Sequence, residues 1–119
     1  MKYLLLIHQG DTPTPRDPEG WARLSEEEQK AVYADYQAIN QTPGVTSGLQ
    51  LAEPDTATTV RVDNGETLTT DGPFVAVKEA LGGYLVFESD DLDAAIELAA
   101  RIPAARLGGA IEVRPIVEW

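Results

Sequence analysis

The sequence predicts an α+β fold of ferredoxin-like type, a split βαβ arrangement in which a largely antiparallel sheet carries two helices on one face. The strand and helix patterns follow the order strand, helix, strand, hairpin, strand, helix, strand. Each helix pattern has one apolar face, which suits packing against one side of a sheet. The 119 residues, 43% of them hydrophobic, are enough for one domain spanning 1–119 with its own core.

The first strand is predicted from Lys2 to His8. Both of its alternate sets of side chains are mostly apolar, which is typical of a strand covered on both faces, so we place it centrally in the sheet. His8 ends the strand on the face of Leu4 and Leu6. Residues 9–20 contain three prolines and two glycines without apolar periodicity, which predicts a loop of the length that often forms functional lids. We expect Trp21 and Leu24, which follow, to hold this loop in place.

The first helix is predicted to begin after Ser25 and to run to about Gln41. Ser25 and Glu28 have capping-box spacing, in which hydroxyl and carboxylate satisfy N–H groups at the helix start. Three acids in the first turn suit the helix dipole. A Pro-Gly pair at 43–44 stops the helix. One helix face carries its larger apolar side chains, Val32, Tyr36 and Ile39.

The middle of the chain predicts a strand followed by a hairpin. The strand runs from Val45 to Ala52 and bends at Gly48. The hairpin strands are Thr56–Asp63 and Glu66–Thr70, and the Asn-Gly pair at 64–65 between them is a strong short-range hairpin signal.

Two registers are open to this hairpin. A two-residue loop would place two acids, Asp63 and Glu66, opposite each other. A three-residue loop with Gly65 in the left-handed region would instead set Val60 against Leu68. We prefer the three-residue loop, because it avoids the like-charge pair and collects apolar residues on one face.

The C-terminal third predicts a strand, a helix and a last strand. The strand is Gly83–Glu88, and Ser89-Asp90-Asp91 caps the helix that follows. Pro103 ends that helix, and the last strand is Ala110–Val117, with Glu112 and Arg114 on one face. The buried face of the helix is predicted from the i, i+3, i+4, i+7 rhythm of Leu92, Ala95, Ile96, Ala99 and Ile102.

Apolar residues on both faces of the strands predict a homodimer. Two helices cover one face of the sheet and leave the other bare. An exposed apolar sheet face of this size is typical of an interface, and we expect a second copy of the chain to cover it.

Charge and composition exclude several classes of function. The net charge of -11, from 20 acids and 9 bases, excludes a direct nucleic-acid surface, which needs basic residues for phosphate contacts. The chain has no cysteine and one histidine, so we expect no disulfide, no metal site and no cofactor. The apolar run Tyr3–Ile7 is too short for a membrane span or a signal sequence, so we expect no membrane contact and a cytoplasmic protein.

Several stretches together resemble the DGPF-domain proteins, a branch of the YCII-related family. The stretches cover nearly the whole chain, and those between 71 and 103 are specific to the family. They are Met1–Ile7, Asp71-Gly72-Pro73-Phe74, Lys78-Glu79, Leu81–Tyr84, Asp91-Leu92-Asp93, Ala99–Pro103 and Glu112–Pro115. The resemblance implies a dimeric α+β barrel, and the activity of the family is mostly unassigned. It also implies an association with sigma factors, so we expect a regulatory protein as a second possible partner.

The chain also departs from its resemblance to the family at two places. Val75-Ala76-Val77 stands where members commonly have Ala-Glu-Thr, so no role of that acid transfers to Ala76. The related YCII proteins have a His-Asp pair proposed to be catalytic. Here the only histidine is His8, and we do not transfer that pair to it.

The candidate catalytic residues are His8 and Lys78. The ordinary pKa of histidine lies near neutrality, so His8 is a candidate general base, with Asp11 just beyond it as the group that orients the ring. Lys78 would attract an anionic substrate and stabilise developing charge. An exposed, ion-paired surface around Lys78 and Glu79 is the alternative for this stretch.

The candidate ligand-binding residues lie in loops, turns or strands that we expect to be near His8 and Lys78. They are Asp11, Arg61, Asp71, Phe74, Glu79 and Tyr84. Plainer roles stay open for three of them: an Asx-turn for Asp71, a core anchor for Phe74, and pairing with Asp63 or Glu66 for Arg61. Gly82-Gly83 predicts either a β-bulge or a close backbone approach.

We therefore expect a homodimer that binds a small organic ligand in a pocket between sheet and helices near the dimer seam, with metal-free acid–base chemistry. The pocket would be lined by His8, the 10–20 loop, Phe74, Lys78 and Tyr84. The alternative is a non-catalytic interaction or regulatory module, which predicts an exposed apolar patch away from any pocket and no closed cavity at His8. A structural dimer without ligand is a third hypothesis.

Overall fold

A computed structural model describes residues 1–72 and 81–118. The described chain contains strands β1 (Lys2–His8), β2 (Val45–Gln50), β3 (Thr58–Asp63), β4 (Glu66–Asp71), β5 (Leu81–Glu88) and β6 (Ala110–Pro115). The helices are α1 (Pro18–Ala22), α2 (Glu26–Asn40) and α3 (Leu92–Ala100), with single 3₁₀ turns at Pro54–Thr56 and Pro103–Ala105. In this part of the chain no helix has the length and apolarity needed to cross a membrane.

Four of the strands form one antiparallel sheet in the order β2-β5-β1-β6. The central strand β1 pairs with β5 on one side and with β6 on the other. This order and the helical connections between strands confirm the predicted ferredoxin-like α+β fold, with β1 at its centre. The strands β3 and β4 pair only with each other and form a separate two-stranded hairpin.

The core lies between the sheet and the helices. Tyr3, Leu5 and Ile7 of β1 and Leu85 and Phe87 of β5 pack in one buried cluster with residues of α2 and α3. The alternate side chains point the other way, because successive residues of a strand face opposite sides. This second face, which we call the open face, carries the half-exposed side chains Leu4, Leu6, Tyr84 and Val86.

The N-terminal caps largely form as the sequence predicts. The Ser25 hydroxyl accepts a hydrogen bond from the Glu28 N–H at 3.1 Å. The other half of the capping box does not form, because Oε2 of Glu28 is buried without a partner. Asp91 caps α3 by accepting from the Ala94 N–H at 2.9 Å. The loop predicted for residues 9–20 ends earlier in the structure, because the short helix α1 begins at Pro18.

The predicted buried face of α3 is partly wrong. Ala95, Ala99 and Ile102 are buried as expected, but Leu92 and Ile96 are 47% and 51% exposed. Leu98, which is 1% exposed, takes their place in the buried face of α3. The buried stripe has the predicted i, i+3, i+4, i+7 spacing but begins three residues later, so that it continues into Ile102 beyond the helix end.

The predicted three-residue hairpin loop is wrong, and the structure has the two-residue loop. Asp63 lies opposite Glu66, and Val60 lies opposite Thr69 rather than Leu68. Asn64 and Gly65 have φ angles of 49° and 76°, which is the signature of a type I′ turn. Neither face of the hairpin is buried, so burial does not select the register and the turn residues do.

The β3–β4 hairpin, which we call the hairpin arm, projects from the rest of the molecule. Val60, Val62 and Leu68 on it are 60%, 69% and 46% exposed. The base of the arm is held where the Gly72 N–H donates to the Ala57 carbonyl at 2.7 Å. The radius of gyration is 16.2 Å, whereas about 13.5 Å is expected for a compact chain of this length. The arm therefore leaves apolar side chains without a covering layer.

Two glycines produce irregularities in the sheet. The β1–β5 register shifts between Ile7 and His8, so Gly82 is an extra residue of β5. This confirms the predicted bulge at the Gly82-Gly83 pair. The β2–β5 register shifts between Ser47 and Gln50, which agrees with the predicted bend at Gly48.

Candidate functional site

A cavity of about 330 Å³ lies between α2 and the helix-covered face of the sheet. We call it the inner pocket. Its floor is formed by Ile7 and Leu85 of the sheet, and one wall by Val32, Tyr33 and Tyr36 of α2. Residues 12–15 of the loop after β1, Ser47–Gln50 of β2, and Pro103 and Leu107 also contribute to the lining. The loop predicted as a lid therefore does line a cavity.

Close backbone packing holds this loop against the 108–109 glycine pair. The Asp11 N–H donates to the Gly108 carbonyl at 3.4 Å, and the Thr12 N–H donates to the Gln9 carbonyl at 2.9 Å. A Cβ at Gly109 would lie 2.2 Å from the His8 carbonyl oxygen. No side chain fits there, so the glycine is what allows the loop to approach β6.

The far end of the loop is attached to α2 through Trp21. The rings of Trp21 and Tyr33 meet edge to face, with centroids 5.6 Å apart and planes at 71°. The Gln29 amide donates to the Trp21 carbonyl at 2.9 Å. The structure thus shows Trp21 holding the loop, as the sequence predicts.

Two buried polar atoms beside the inner pocket have no hydrogen-bond partner in the described chain. They are Oε1 of Gln9 and Oγ1 of Thr12, and both residues line the pocket. The Gln9 side chain lies against Gly82, where a Cβ would come within 2.2 Å of its Cγ. A buried polar atom without a partner is costly in a folded protein.

Three tyrosines line the same pocket: Tyr33, Tyr36 and Tyr84. Burial raises the pKa of the Tyr36 hydroxyl above its usual value, so this group stays neutral across the physiological range. Tyr84, a predicted ligand-binding residue, also contributes to the lining, although the alternation along β5 places its side chain on the open face. Its ring lies over Gly48, where a Cβ would come within 2.5 Å of the ring.

A second, more polar cavity of about 650 Å³ lies on the outer side of the same loop. We call it the outer cavity. Asp11, Asp17, Glu53 and Arg23 contribute to its lining, so it carries charged groups of both signs. Five residues line both cavities and therefore lie at their boundary: Gln9, Thr12, Thr14, Gln50 and Gly82.

His8 lies on the open face of the sheet, in contact with Glu112. The ring N–H at Nε2 donates to Oε1 of Glu112 at 3.1 Å, and the two side chains are 27% and 39% exposed. The Arg114 guanidinium binds the other carboxylate oxygen of Glu112. These three residues form one hydrogen-bonded row across β1 and β6, which we call the histidine cluster.

The charge of Glu112 is stabilised by both of its partners. Hydrogen bonds from Arg114, and then from His8, hold the pKa of the Glu112 carboxyl below its usual value. A carboxyl whose pKa is lower in the folded chain than in the unfolded chain stabilises the fold at pH values above its ordinary pKa. This stability is lost as the pH falls through the lowered pKa. The carboxylate is thus ionised at neutral pH and orients the imidazole ring.

The described residues place His8 outside both cavities, so its place in a ligand pocket stays a prediction. Its neighbour Ile7 lines the inner pocket, and the alternation along β1 turns His8 to the opposite face. Neither the inner pocket nor the outer cavity is lined by His8. Glu112 is a carboxylate that contacts the ring, and the orienting role of Asp11 stays a prediction.

The remaining predicted residues are separated from these sites or lie outside the description. Arg61 and Asp71 belong to the hairpin arm, opposite Leu68 and Thr58. Neither of them lines either cavity. The Asx-turn alternative for Asp71 involves residues 73–74, which lie outside the described residues. The other predicted site residues, Phe74, Lys78 and Glu79, lie outside the described residues.

Sequence reasoning missed four residues of these sites: Gln9, Thr12, Tyr36 as a pocket wall, and Glu112. A signal for Glu112 was present, since the last strand has Glu112 and Arg114 on one face and an antiparallel neighbour of β1 would bring that face beside His8. No comparable signal marks Gln9 and Thr12, because their burial depends on the bulge at Gly82 and on the packing of Gly109.

Comparison with known proteins gives two matches along the chain. The model of the YCII-related domain matches residues 1–119. Uncharacterized protein R00369 of Rhizobium meliloti (strain 1021) is 32% identical over 122 residues, covering 98% of this chain and 92% of the relative. Both matches extend over both cavities and the histidine cluster.

The arrangement of the histidine cluster predicts an ordered change in the pKa of Glu112. Arg114→Ala should raise this pKa more than His8→Ala does, because the hydrogen bond from Arg114 has the larger effect. Titration of the carboxyl carbon by NMR measures the pKa in each variant. Equal values in wild type and in Arg114→Ala would contradict the cluster geometry.

Proposed function

The chain belongs to the YCII-related family, and from this premise we propose that it is a homodimer that binds a small organic ligand in the inner pocket. The observation that carries the proposal is a cavity of about 330 Å³ bordered by two buried polar atoms without partners. Cavities of roughly 300–1,000 Å³ with a few convergent polar groups are the usual form of small-molecule sites. The finer assignment to the DGPF branch is part of the proposal.

The construction of the loop supports ligand binding. The loop is attached at one end to the Gly108-Gly109 pair and at the other to Trp21. Residues 12–15 between these attachments form one wall of the pocket. A loop held at both ends beside a cavity suits a lid that admits and encloses a small molecule.

A second candidate function is metal-free acid–base chemistry at the histidine cluster. The hydrogen bond between His8 and Glu112 favours it, since a carboxylate that holds an imidazole fixes its tautomer and ring orientation. In this proposal His8 accepts a proton from a molecule bound at the dimer seam, and Lys78 stabilises the negative charge that results. The reaction would be a proton transfer, as in an isomerase or a lyase.

The open face supports the dimer. Leu4, Leu6, Tyr84 and Val86 form a continuous apolar patch on it, because they lie opposite each other in the β1–β5 register. A stable interface needs about 800 Å² from each partner, and a sheet face of four strands is a surface of suitable shape. A second copy placed here would also enclose the histidine cluster.

The regulatory alternative is favoured by the hairpin arm. Its exposed apolar side chains, Val60, Val62 and Leu68, lie away from both cavities. An exposed patch of this kind is what an interaction module predicts. In this alternative a regulatory protein, such as one acting in sigma-factor-linked transcription control, contacts the arm.

The ligand proposal is tested by filling the inner pocket. Ser47 is exposed but lines the pocket from β2, so Ser47→Trp should occupy part of the cavity. A thermal-shift screen against small acids, phenols and other metabolites should give compounds that raise the melting temperature of wild type. These shifts should disappear in Ser47→Trp and persist in the control Thr69→Trp on the hairpin arm. Shifts that survive in Ser47→Trp would place the ligand elsewhere.

The acid–base proposal is tested by proton exchange. Wild-type protein in the presence of EDTA should catalyse deuterium incorporation next to the carbonyl group in at least one member of a panel of small carbonyl compounds. His8→Gln should lower the rate by about a hundredfold, which is a typical contribution of a general base. Proton NMR of the substrate follows the exchange. The same rate in wild type and in His8→Gln would remove His8 from the proposal.

The dimer proposal is tested by placing a charge on the open face. Val86→Arg should convert the dimer into a monomer, because a buried guanidinium without a partner is costly at an apolar interface. Ile96→Arg on the exposed side of α3 is the matched control and should remain a dimer. Light scattering after size exclusion measures the mass. A monomeric wild type at micromolar concentration would contradict the dimer.

A further inference from the structure

We infer that the ligand of the inner pocket is a neutral molecule with an apolar, ring-sized body and one hydrogen-bond donor. This rests on the proposed function, namely that the inner pocket binds a ligand, and it adds the chemical class. Three independent features of the pocket support the class: the charge of its lining, the two polar atoms without partners, and its aromatic wall.

The lining of the pocket is uncharged although the protein is strongly charged. Acidic and basic residues make up 24% of the chain. None of the twenty residues that line the inner pocket among those described is Asp, Glu, Lys, Arg or His. An ion transferred into such a site loses its hydration and finds no counter-charge, which is strongly unfavourable. The pocket therefore selects against carboxylates and ammonium ions.

The outer cavity provides an internal contrast. It shares Gln9 and Gly82 with the inner pocket, but it carries Asp11, Asp17, Glu53 and Arg23. Charged side chains are thus available on one side of the loop and excluded from the other. The separation follows the loop, whose acids Asp11 and Asp17 line only the outer cavity and whose prolines Pro13 and Pro15 line only the inner pocket.

The two polar atoms specify where the ligand is hydrogen-bonded. Oε1 of Gln9 is an acceptor, and the Thr12 hydroxyl both donates and accepts. Both atoms are buried and have no partner in the described chain. A hydroxyl or amide N–H on the ligand donates to Gln9, and its oxygen accepts from Thr12. Gly82 supports this geometry, because the Gln9 side chain lies directly on it.

The aromatic and aliphatic walls define the body of the ligand. Tyr33 and Tyr36 lie on the α2 side, and Ile7 and Leu85 lie on the sheet side. Flat apolar rings fit between such walls, where aromatic contacts add to the burial of apolar surface. Burial also keeps the Tyr36 hydroxyl neutral, so this wall adds no negative charge near the ligand.

The test compares four probes of similar size on the full-length protein: benzyl alcohol, toluene, benzoate and benzylammonium. Amide shifts in two-dimensional NMR locate each probe and give its dissociation constant. Benzyl alcohol should shift the amides of residues 9–15 and 33–40 and bind about fivefold tighter than toluene, the gain expected from one hydrogen bond. Benzoate and benzylammonium should leave these amides unchanged.

Two variants test the hydrogen bonds separately from the fold. Gln9→Leu and Thr12→Val should each remove the preference for benzyl alcohol over toluene while toluene binds as before. Thr69→Val on the hairpin arm is the control and should keep the preference. The inference is overturned if an ionised probe binds in the inner pocket as tightly as benzyl alcohol, or if both variants keep the preference. If no probe shifts the amides of the pocket, the pocket proposal itself fails.

Discussion

The alternation of side chains along β1 determines which parts of this protein can act together. Because β1 is paired on both sides, its register cannot slip without moving every side chain to the other face. Ile7 therefore faces α2 and the inner pocket, while His8 faces Glu112 on the open face. Two functional candidates that are neighbours in sequence are thus held on opposite sides of one sheet. The inner pocket is formed by a single chain, whereas the histidine cluster lies on the face that we propose a second copy covers.

Backbone contacts at glycines make the pocket possible. Gly109 lets the loop after β1 approach β6, and Gly82 leaves the space in which the Gln9 side chain lies. Neither position has room for a Cβ, so the loop, the bulge and the pocket wall form one packed unit. The same packing buries polar atoms of Gln9 and Thr12 without partners. Buried polar atoms beside a cavity are the feature of this packing on which the proposal of a bound molecule rests.

The sequence predicts most of the architecture because hydrophobic periodicity and helix-capping residues are local signals. The central strand, the Ser25 cap and the bends at Gly48 and Gly82 follow from residues close together in the chain. The errors arise where distant packing decides. Burial on α3 follows the stripe that leads to Ile102, and the hairpin register follows its turn because no face of the arm is buried among the described residues. The site was harder still to predict, since the partner of His8 lies 104 residues away at Glu112.

The central claim is that a small molecule binds between α2 and the sheet, under the loop after β1. Hydrogen–deuterium exchange, followed by mass spectrometry with and without a ligand from the thermal-shift screen, tests it most directly. The account predicts slower exchange in peptides covering residues 9–15 and 33–40, because the ligand closes the loop over α2. Slower exchange confined to β1 and β6 around His8 and Glu112, with the loop unchanged, would contradict it.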